Sequence, residues 1–213
     1  MAKLLEMKNI SKKFPGVQAL SNVTLDLNSG EVLALVGENG AGKSTMMKIF
    51  TGIYQADGGE ILLEGNPITV SSTKKATSYG ISMIHQELNL MKDLTVAENI
   101  FIGREPKKIL NLFINDAKLN DMANTLFQKL SLVMDVKDKV ETLTIAKQQV
   151  VEIAKALSYE SKILIMDEPT TALTETEINA LFEIINSLKR NGVGIIYISH
   201  RMDELKRISD RIT

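Results

Sequence analysis

The 213-residue sequence predicts an α/β fold with a mainly parallel central sheet, and three observations carry that expectation. Ile163-Leu-Ile-Met166 and Val193-Gly-Ile-Ile-Tyr-Ile198 are apolar runs without polar alternation, the pattern of strands buried on both faces. A third run, Val32-Leu-Ala-Leu-Val36, leads into the glycine-rich Gly37-Glu-Asn-Gly-Ala-Gly-Lys-Ser44 and then a helical segment from Thr45 to Thr51 that Gly52 can close. Strands alternating with helices imply right-handed crossover connections.

Composition bounds the function classes. With 44% hydrophobic residues, the chain can build the core of one medium domain, with or without an inserted subdomain. Twenty-five basic against 26 acidic residues leave no global field to attract nucleic acid or an anionic membrane. Cysteine is absent, which excludes a disulfide framework and thiolate chemistry and fits a reducing cytosol. His85 and His200 lack the neighbours of a transition-metal site. No apolar run approaches the roughly 18 residues that cross a bilayer, and the opening Met-Ala-Lys-Leu-Leu-Glu is not a secretory signal. Work at a membrane would need another protein to bring this one there.

Taken in order, residues 4–27 read as antiparallel strands, because Leu5, Met7, Val23, Leu25 and Leu27 alternate with polar residues. Lys12-Lys13-Phe14-Pro15-Gly16-Val17 between them is an exposed turn in which Phe14 either fills space or stacks on a purine ring. The 37–44 stretch spells G-x-x-x-x-G-K-S between a strand and a helix, the context of a P-loop. Gly37, Gly40 and Gly42 let the backbone of Glu38, Asn39, Ala41 and their neighbours turn N–H groups inward as a nest for phosphate oxygens. The helix beginning there, with Thr45 in its first turn, adds its positive end. Lys43 is placed to reach the β- and γ-phosphates, and the Ser44 hydroxyl suits Mg²⁺.

Asp57-Gly58-Gly59 then opens a strand, Glu60 to Pro67, with a Gly65-Asn66 turn that continues the antiparallel segment. Tyr79–Ile84 is a short apolar strand ending at His85-Gln86-Glu87, where Gln86 is either a solvent-facing loop residue or a neutral oxygen ligand to Mg²⁺ that also orients water. From Thr95 to about Tyr159 the pattern is helical, and Leu119, Met122, Ala123, Leu126, Phe127 and Leu130 line one packing face. Arg104-Glu-Pro-Lys-Lys108 reads as a solvated basic loop, without the aromatics of a nucleic-acid surface.

Asp167 follows the Ile163–Met166 run, so it stands at the carboxyl edge of the sheet, where open α/β folds bind ligands. Behind a P-loop it reads as the acidic partner of Mg²⁺, and Glu168 as a carboxylate able to orient and deprotonate water. Thr174 and Glu177 match a capping box for a helix striped by Ile178, Leu181, Phe182, Ile185 and Leu188 and ended by Asn191-Gly192. At the end of the next strand, His200 is either structural or within reach of a γ-phosphate.

With these residues in view, essentially the whole chain resembles the nucleotide-binding cassette of ABC transporters. Gln86 corresponds to that family's Q-loop, Asp167 and Glu168 to its Walker B aspartate and catalytic glutamate, His200 to its switch histidine, and Phe14 to an aromatic that stacks on adenine. Val36-Gly-Glu-Asn-Gly-Ala-Gly-Lys-Ser-Thr-Met-Met47, His85-Gln-Glu-Leu-Asn-Leu90, Val151-Glu-Ile-Ala-Lys-Ala-Leu157 and Tyr197-Ile-Ser-His-Arg-Met202 are similar to the first cassette of tandem ATPases of bacterial ribose, galactose and xylose importers. The resemblance implies a RecA-like P-loop core with an antiparallel β-subdomain, together spanning 1–88 and 160–213, and a helical signature subdomain at 89–159. It implies ATP and Mg²⁺ as ligands and ATP hydrolysis coupled to monosaccharide uptake. It also implies a second cassette, integral-membrane permease subunits, a periplasmic sugar-binding protein as indirect partner, no nucleic acid, and a peripheral place on the cytoplasmic face of the membrane.

Two departures stand out. The signature, Leu-Ser-x-Gly-x-Gln-Gln in such importers, is Leu143-Thr-Ile-Ala-Lys-Gln-Gln149. Thr144 keeps a hydroxyl for a phosphate oxygen, and by itself reads equally as a helix N-cap; Gln149 is retained; Ala146 adds a methyl where backbone must approach the γ-phosphate across a dimer. The chain also stops at Asp210-Arg-Ile-Thr213, at a strand's beginning, as a piece of a longer protein would. Alternatives to transport are a nucleotide-regulated module with little hydrolysis and a soluble ABC ATPase.

Overall fold

The computed structural model describes residues 3–38, 40–108, 113–130 and 132–213. The first part of the chain runs β1 (Lys3–Phe14), β2 (Val17–Asn28), β3 (Val32–Leu35), α1 (Lys43–Phe50), β4 (Gly58–Leu63), β5 (Asn66–Ile68), α2 (Thr73–Ser78) and β6 (Ile81–Ile84). Next come α3 (Val96–Phe101), the small pair β7 (Lys107–Lys108) and β8 (Phe113–Ile114), α4 (Asp116–Lys129) and α5 (Ile145–Leu157). Last are β9 (Ile163–Asp167), α6 (Glu175–Arg190), β10 (Gly194–Ile198), α7 (Met202–Ile208) and β11 (Arg211–Ile212).

Two sheets divide the strands. The antiparallel sheet has the order β2-β1-β4-β5, and the parallel sheet the order β11-β3-β10-β9-β6. Side-chain alternation explains why the parallel strands are apolar throughout. Leu33, Ile165 and Ile196 pack with α1 and the antiparallel sheet, whereas Ala34, Leu164, Met166, Ile195 and Tyr197 face the other way, into the core shared with α3 to α6. Each strand therefore needs apolar residues on both faces.

The register sets the working edge. Leu35 pairs with Ile198, and Ile198 with Asp167, so β3, β10 and β9 end in one row. Ile84 pairs with Met166 and brings β6 to the same edge. The segments beginning at Val36, His85, Glu168 and Ser199 therefore all leave the sheet from one side.

Three local expectations are corrected. The β4–β5 turn lies at Glu64 (φ 52°) and Gly65 (φ 76°), one residue earlier than read, because the pair Leu63–Asn66 keeps Ile61 and Leu63 on the buried face. The first helix starts at Lys43 rather than Thr45, directly after Gly42. Arg104 does not belong to a solvated loop: its guanidinium lies 3.6 Å over the Tyr159 ring and donates to the Ser158 and Ile100 carbonyls, each at 3.1 Å, and to Ser158 Oγ at 2.6 Å. Such a clasp caps the ends of α3 and α5 together. The helix α2 and the β7–β8 pair are additions that periodicity did not reveal. Among the described residues, no helix is long and apolar enough to cross a membrane.

Candidate functional site at the carboxyl edge of the parallel sheet

The loop between β3 and α1 is shaped by two glycines with different reasons to be glycine. Gly40 (φ 85°) has open space around a would-be Cβ, so its backbone angle alone selects it. Gly42 (φ 89°) caps α1 and also lies where a Cβ would come 2.7 Å from Leu20 Cδ2 and 2.8 Å from the Ala19 carbonyl. The antiparallel sheet thus buttresses the loop from behind. Lys43 Nζ donates back to the carbonyls of Gly37 and Glu38. Gly37, Glu38, Gly40, Ala41 and Ser44 are exposed, Thr45 half-buried, and Asn39 lies outside the described residues.

Facing this loop, Asp167 is half-buried at the end of β9. Burial pushes its carboxyl above the ordinary value of 3.8, the neighbouring Glu168 adds to the rise, and His85 and Lys43 partly offset it. Lys43 is thus within electrostatic reach of Asp167. Among the described residues the Asp167 carboxylate has no side-chain hydrogen bond or ion pair, and Lys43 and His85 offset its desolvation only from a distance.

Glu168 occupies the left-handed region (φ 47°), uncommon for a residue with a side chain. Its N–H donates to the Ile198 carbonyl at 2.9 Å, and its Oε1 lies 2.9 Å from His200 Nδ1. The backbone turn aims the carboxylate across the end of β10, toward a histidine that is otherwise largely in solvent. Gln86 is exposed and, with Glu168, Thr171, Ile145 and Gln149, lines an open cleft of about 630 Å³. The Gln86 loop is gripped from α5, where Glu152 Oε1 accepts from the Asn89 N–H at 2.7 Å and Lys155 Nζ donates to the Asn89 carbonyl at 3.2 Å.

Thr144 is the N-cap of α5 and accepts from Lys147 N at 3.4 Å. Ala146 borders a separate apolar cavity of about 170 Å³ between α5 and α6. Gln149 is buried, with its Nε2 lacking a partner among the described residues. No hydrogen bond among those residues joins Thr144 or Ala146 to the 37–44 loop. The structure therefore gathers 37–44, Gln86, Asp167, Glu168 and His200 at one edge and places the signature segment on a different element. Phe14 meets Tyr54 edge-on at 5.2 Å between ring centres, with Lys12 5.6 Å from its own ring centre.

A family model described as "ABC transporter" matches residues 20–171. The chain belongs to the ABC transporter family. It is 56% identical, over all of its own length and 41% of the relative's, to a putative ribose/galactose/methyl galactoside import ATP-binding protein of Burkholderia ambifaria. It is 52% identical to a galactose/methyl galactoside import ATP-binding protein of Clostridium perfringens, covering 99% of this chain and 40% of that one. The chain spans about two fifths of the length of these relatives. Among solved structures, the ADP conformation of MJ1267, an ABC transporter cassette, superposes with a TM-score of 0.87 at 29% identity, covering 100% of this chain and 87% of that one. A nucleotide-free ABC cassette superposes at 0.84 with 27% identity, covering 99% and 86%. The fold expected from the sequence, an ABC cassette with parallel and antiparallel sheets, is the fold observed.

Sequence reasoning about this cassette missed the residues that support the site from outside the motifs. Tyr54 behind Phe14 follows directly on the turn that closes α1, and Leu20 behind Gly42 is an apolar residue in β2; neither spacing marks them. Glu152, inside the recognisable Val151–Leu157 stretch, had a signal in being an acid set between the apolar pairs Val150-Val151 and Ile153-Ala154.

Proposed function

We propose that this cassette binds and hydrolyses ATP to drive uptake of a monosaccharide of the ribose, galactose or xylose kind. The observation that carries the reading is the row Leu35–Ile198–Asp167, which brings the phosphate-binding loop, the acids and His200 to a single sheet edge. The names of relatives more than 50% identical supply ribose and galactose, and the motif resemblance supplies xylose.

In this reading the amides of residues 37–45 and the Lys43 ammonium hold the triphosphate, and Phe14, backed by Tyr54, stacks on the adenine. Ser44, Gln86 and Asp167 are the hard oxygen donors that would hold Mg²⁺, which when bound supplies charge neutralisation to the phosphates. The desolvated, unpaired Asp167 fits such an ion. Glu168 takes the proton of the attacking water, and His200, held on Glu168, positions the water and the γ-phosphate. Because the loop is open to solvent, a second cassette must cover it, presenting its own equivalent of Thr144, Ala146 and Gln149. The 89–159 segment acts as the helical arm toward permease subunits, with residues 1–88 and 160–213 as the catalytic body. The assembly sits peripherally on the cytoplasmic face of the membrane, and a periplasmic binding protein selects the sugar.

Glu168→Gln tests the assignment. Steady-state ATP hydrolysis should fall at least about 100-fold while MgATP binding persists and an ATP-bound dimer accumulates. Undiminished turnover in that variant overturns the role of Glu168, and absence of MgATP binding by the parent protein overturns the whole reading.

A further inference from the structure

We infer that Thr170 and Glu204 form a positioning pair that holds His200 against Glu168, an inference that rests on the ATPase reading above. The two catalytic side chains come from different strand ends, β9 and β10, and each is poorly anchored by itself. The His200 side chain is 72% exposed, and Glu168 is its polar partner. Glu168 in turn depends on a left-handed backbone that a residue with a side chain keeps only where surrounding structure enforces it.

Directly, the Ile198 carbonyl accepts from the Glu168 N–H and the Thr171 N–H and hydroxyl donate to the Glu168 carbonyl; a further tie lies two residues beyond Glu168 and four beyond His200. Thr170 Oγ1 donates to Glu204 Oε2 at 2.7 Å, and both residues are buried, at 1% and 2% exposure. Glu204 belongs to the first turn of α7, which begins immediately after His200-Arg201. The Tyr197 hydroxyl, from the end of β10, donates to the same oxygen at 3.1 Å, and Arg201 pairs with the other. Burial, with this carboxylate beside it, pushes the Tyr197 phenol well above its ordinary range, so it stays a donor. One buried carboxylate therefore ties the segment carrying Glu168 to the segment carrying His200. A carboxylate is costly in such a place: Oε2 accepts two hydrogen bonds, whereas Oε1 meets Arg201 as an ion pair and has no hydrogen-bond partner among the described residues, and a simple packing role would be served by an apolar side chain. Register and the Glu168 N–H to Ile198 carbonyl bond already set the spacing of the strand ends, and the link adds a side-chain tie between the turn after Glu168 and the start of α7, which orients the Glu168 and His200 side chains toward each other.

The test is Thr170→Val, which keeps shape and removes the hydroxyl, against Thr170→Ser, which keeps the hydroxyl. In MgATP hydrolysis by the parent protein, the valine variant should lose about tenfold in kcat with KM within about twofold, and serine should restore most of the rate. In a His200→Ala background, Thr170→Val should cause no further loss. A full tenfold loss in that background, or a loss carried by KM, overturns the inference. Should valine disturb packing, Thr170→Ala must give the same split. A second readout does not depend on hydrolysis: the imidazole nitrogen-15 resonances of His200 are those missing from the spectrum of the His200→Ala variant. Thr170→Val should move the His200 Nδ1 resonance toward its position in Glu168→Gln, and an unmoved resonance overturns the pairing even if the protein proves inactive as an ATPase.

Discussion

At the carboxyl edge of the parallel sheet, residues 35, 198 and 167 stand in a row because hydrogen-bonded register leaves buried strands no other place to end. The helical arm is held by different means: a few polar side chains reach from one irregular segment to another. Asn99, fully buried, accepts from the Met91 N–H at 2.8 Å and donates to the Met91 and Thr95 carbonyls at 3.0 Å, closing the turn before α3. Arg104 ties α3 to α5, and Glu152 with Lys155 ties α5 to the Gln86 loop. Where the strands end thus depends on many interchangeable apolar residues, while the irregular segments of the arm, outside the apolar core its helices share, depend on single polar side chains. Segments held by a few clasps are the ones that open locally at low cost, which suits the role proposed above for residues 89–159.

The contrast can be broken at either end. Lys43→Ala should weaken MgATP binding about 100-fold, near 3 kcal/mol, with little change in melting temperature, read by titration calorimetry. A large loss of stability would mean that the loop is part of the scaffold and not carried by it. Arg104→Ala should do the reverse: a loss of about 2 kcal/mol, or roughly 4–8 °C in melting temperature, with MgATP affinity in the nucleotide site within about twofold. An unchanged melting curve would remove the arm's dependence on single clasps.

Asp167→Asn sharpens the comparison from inside the site. A buried acid whose pKa is raised holds its proton more tightly in the folded chain than in the unfolded one. Its contribution therefore falls as pH rises from the ordinary 3.8 through the raised value, and the whole penalty is present at neutral pH. Asparagine should raise the nucleotide-free melting temperature measurably at pH 7, by less than Arg104→Ala lowers it, and the gain should vanish near pH 3. A destabilised variant at pH 7 would contradict the electrostatic account. Smallest is Ala146→Gly: an increase in hydrolysis of about threefold, with a slightly lower melting temperature because glycine weakens α5 by up to about 1 kcal/mol. No change in rate would show that the added methyl does not crowd the facing phosphate.

Much of the site was readable because its residues lie at positions that backbone physics marks. Glycine where φ is positive, an acid after an uninterrupted apolar strand, and a threonine three residues before a glutamate are local patterns. The last appears as the expected capping box, with Thr174 N bonded to Glu177 Oε2 at 2.9 Å and Glu177 N to Thr174 Oγ1 at 3.4 Å. Arg104 and Glu204 carried no such mark. In sequence the first looks like part of a basic surface loop and the second like a solvated acid on a short helix, yet both are enclosed by partners more than 30 residues away.

By itself, the sequence determined the alternation of strands and helices, the phosphate-binding loop and the identity of the acids behind it, because each follows from periodicity or from backbone angles that only certain residues adopt. Only the tertiary structure decided that β10 lies between β3 and β9, that Leu20 and the Ala19 carbonyl leave no room for a side chain at position 42, and that a buried glutamate joins the segments following β9 and β10. Those decisions belong to contacts between distant segments, where a polar side chain's role is set by what encloses it and not by its neighbours in the chain.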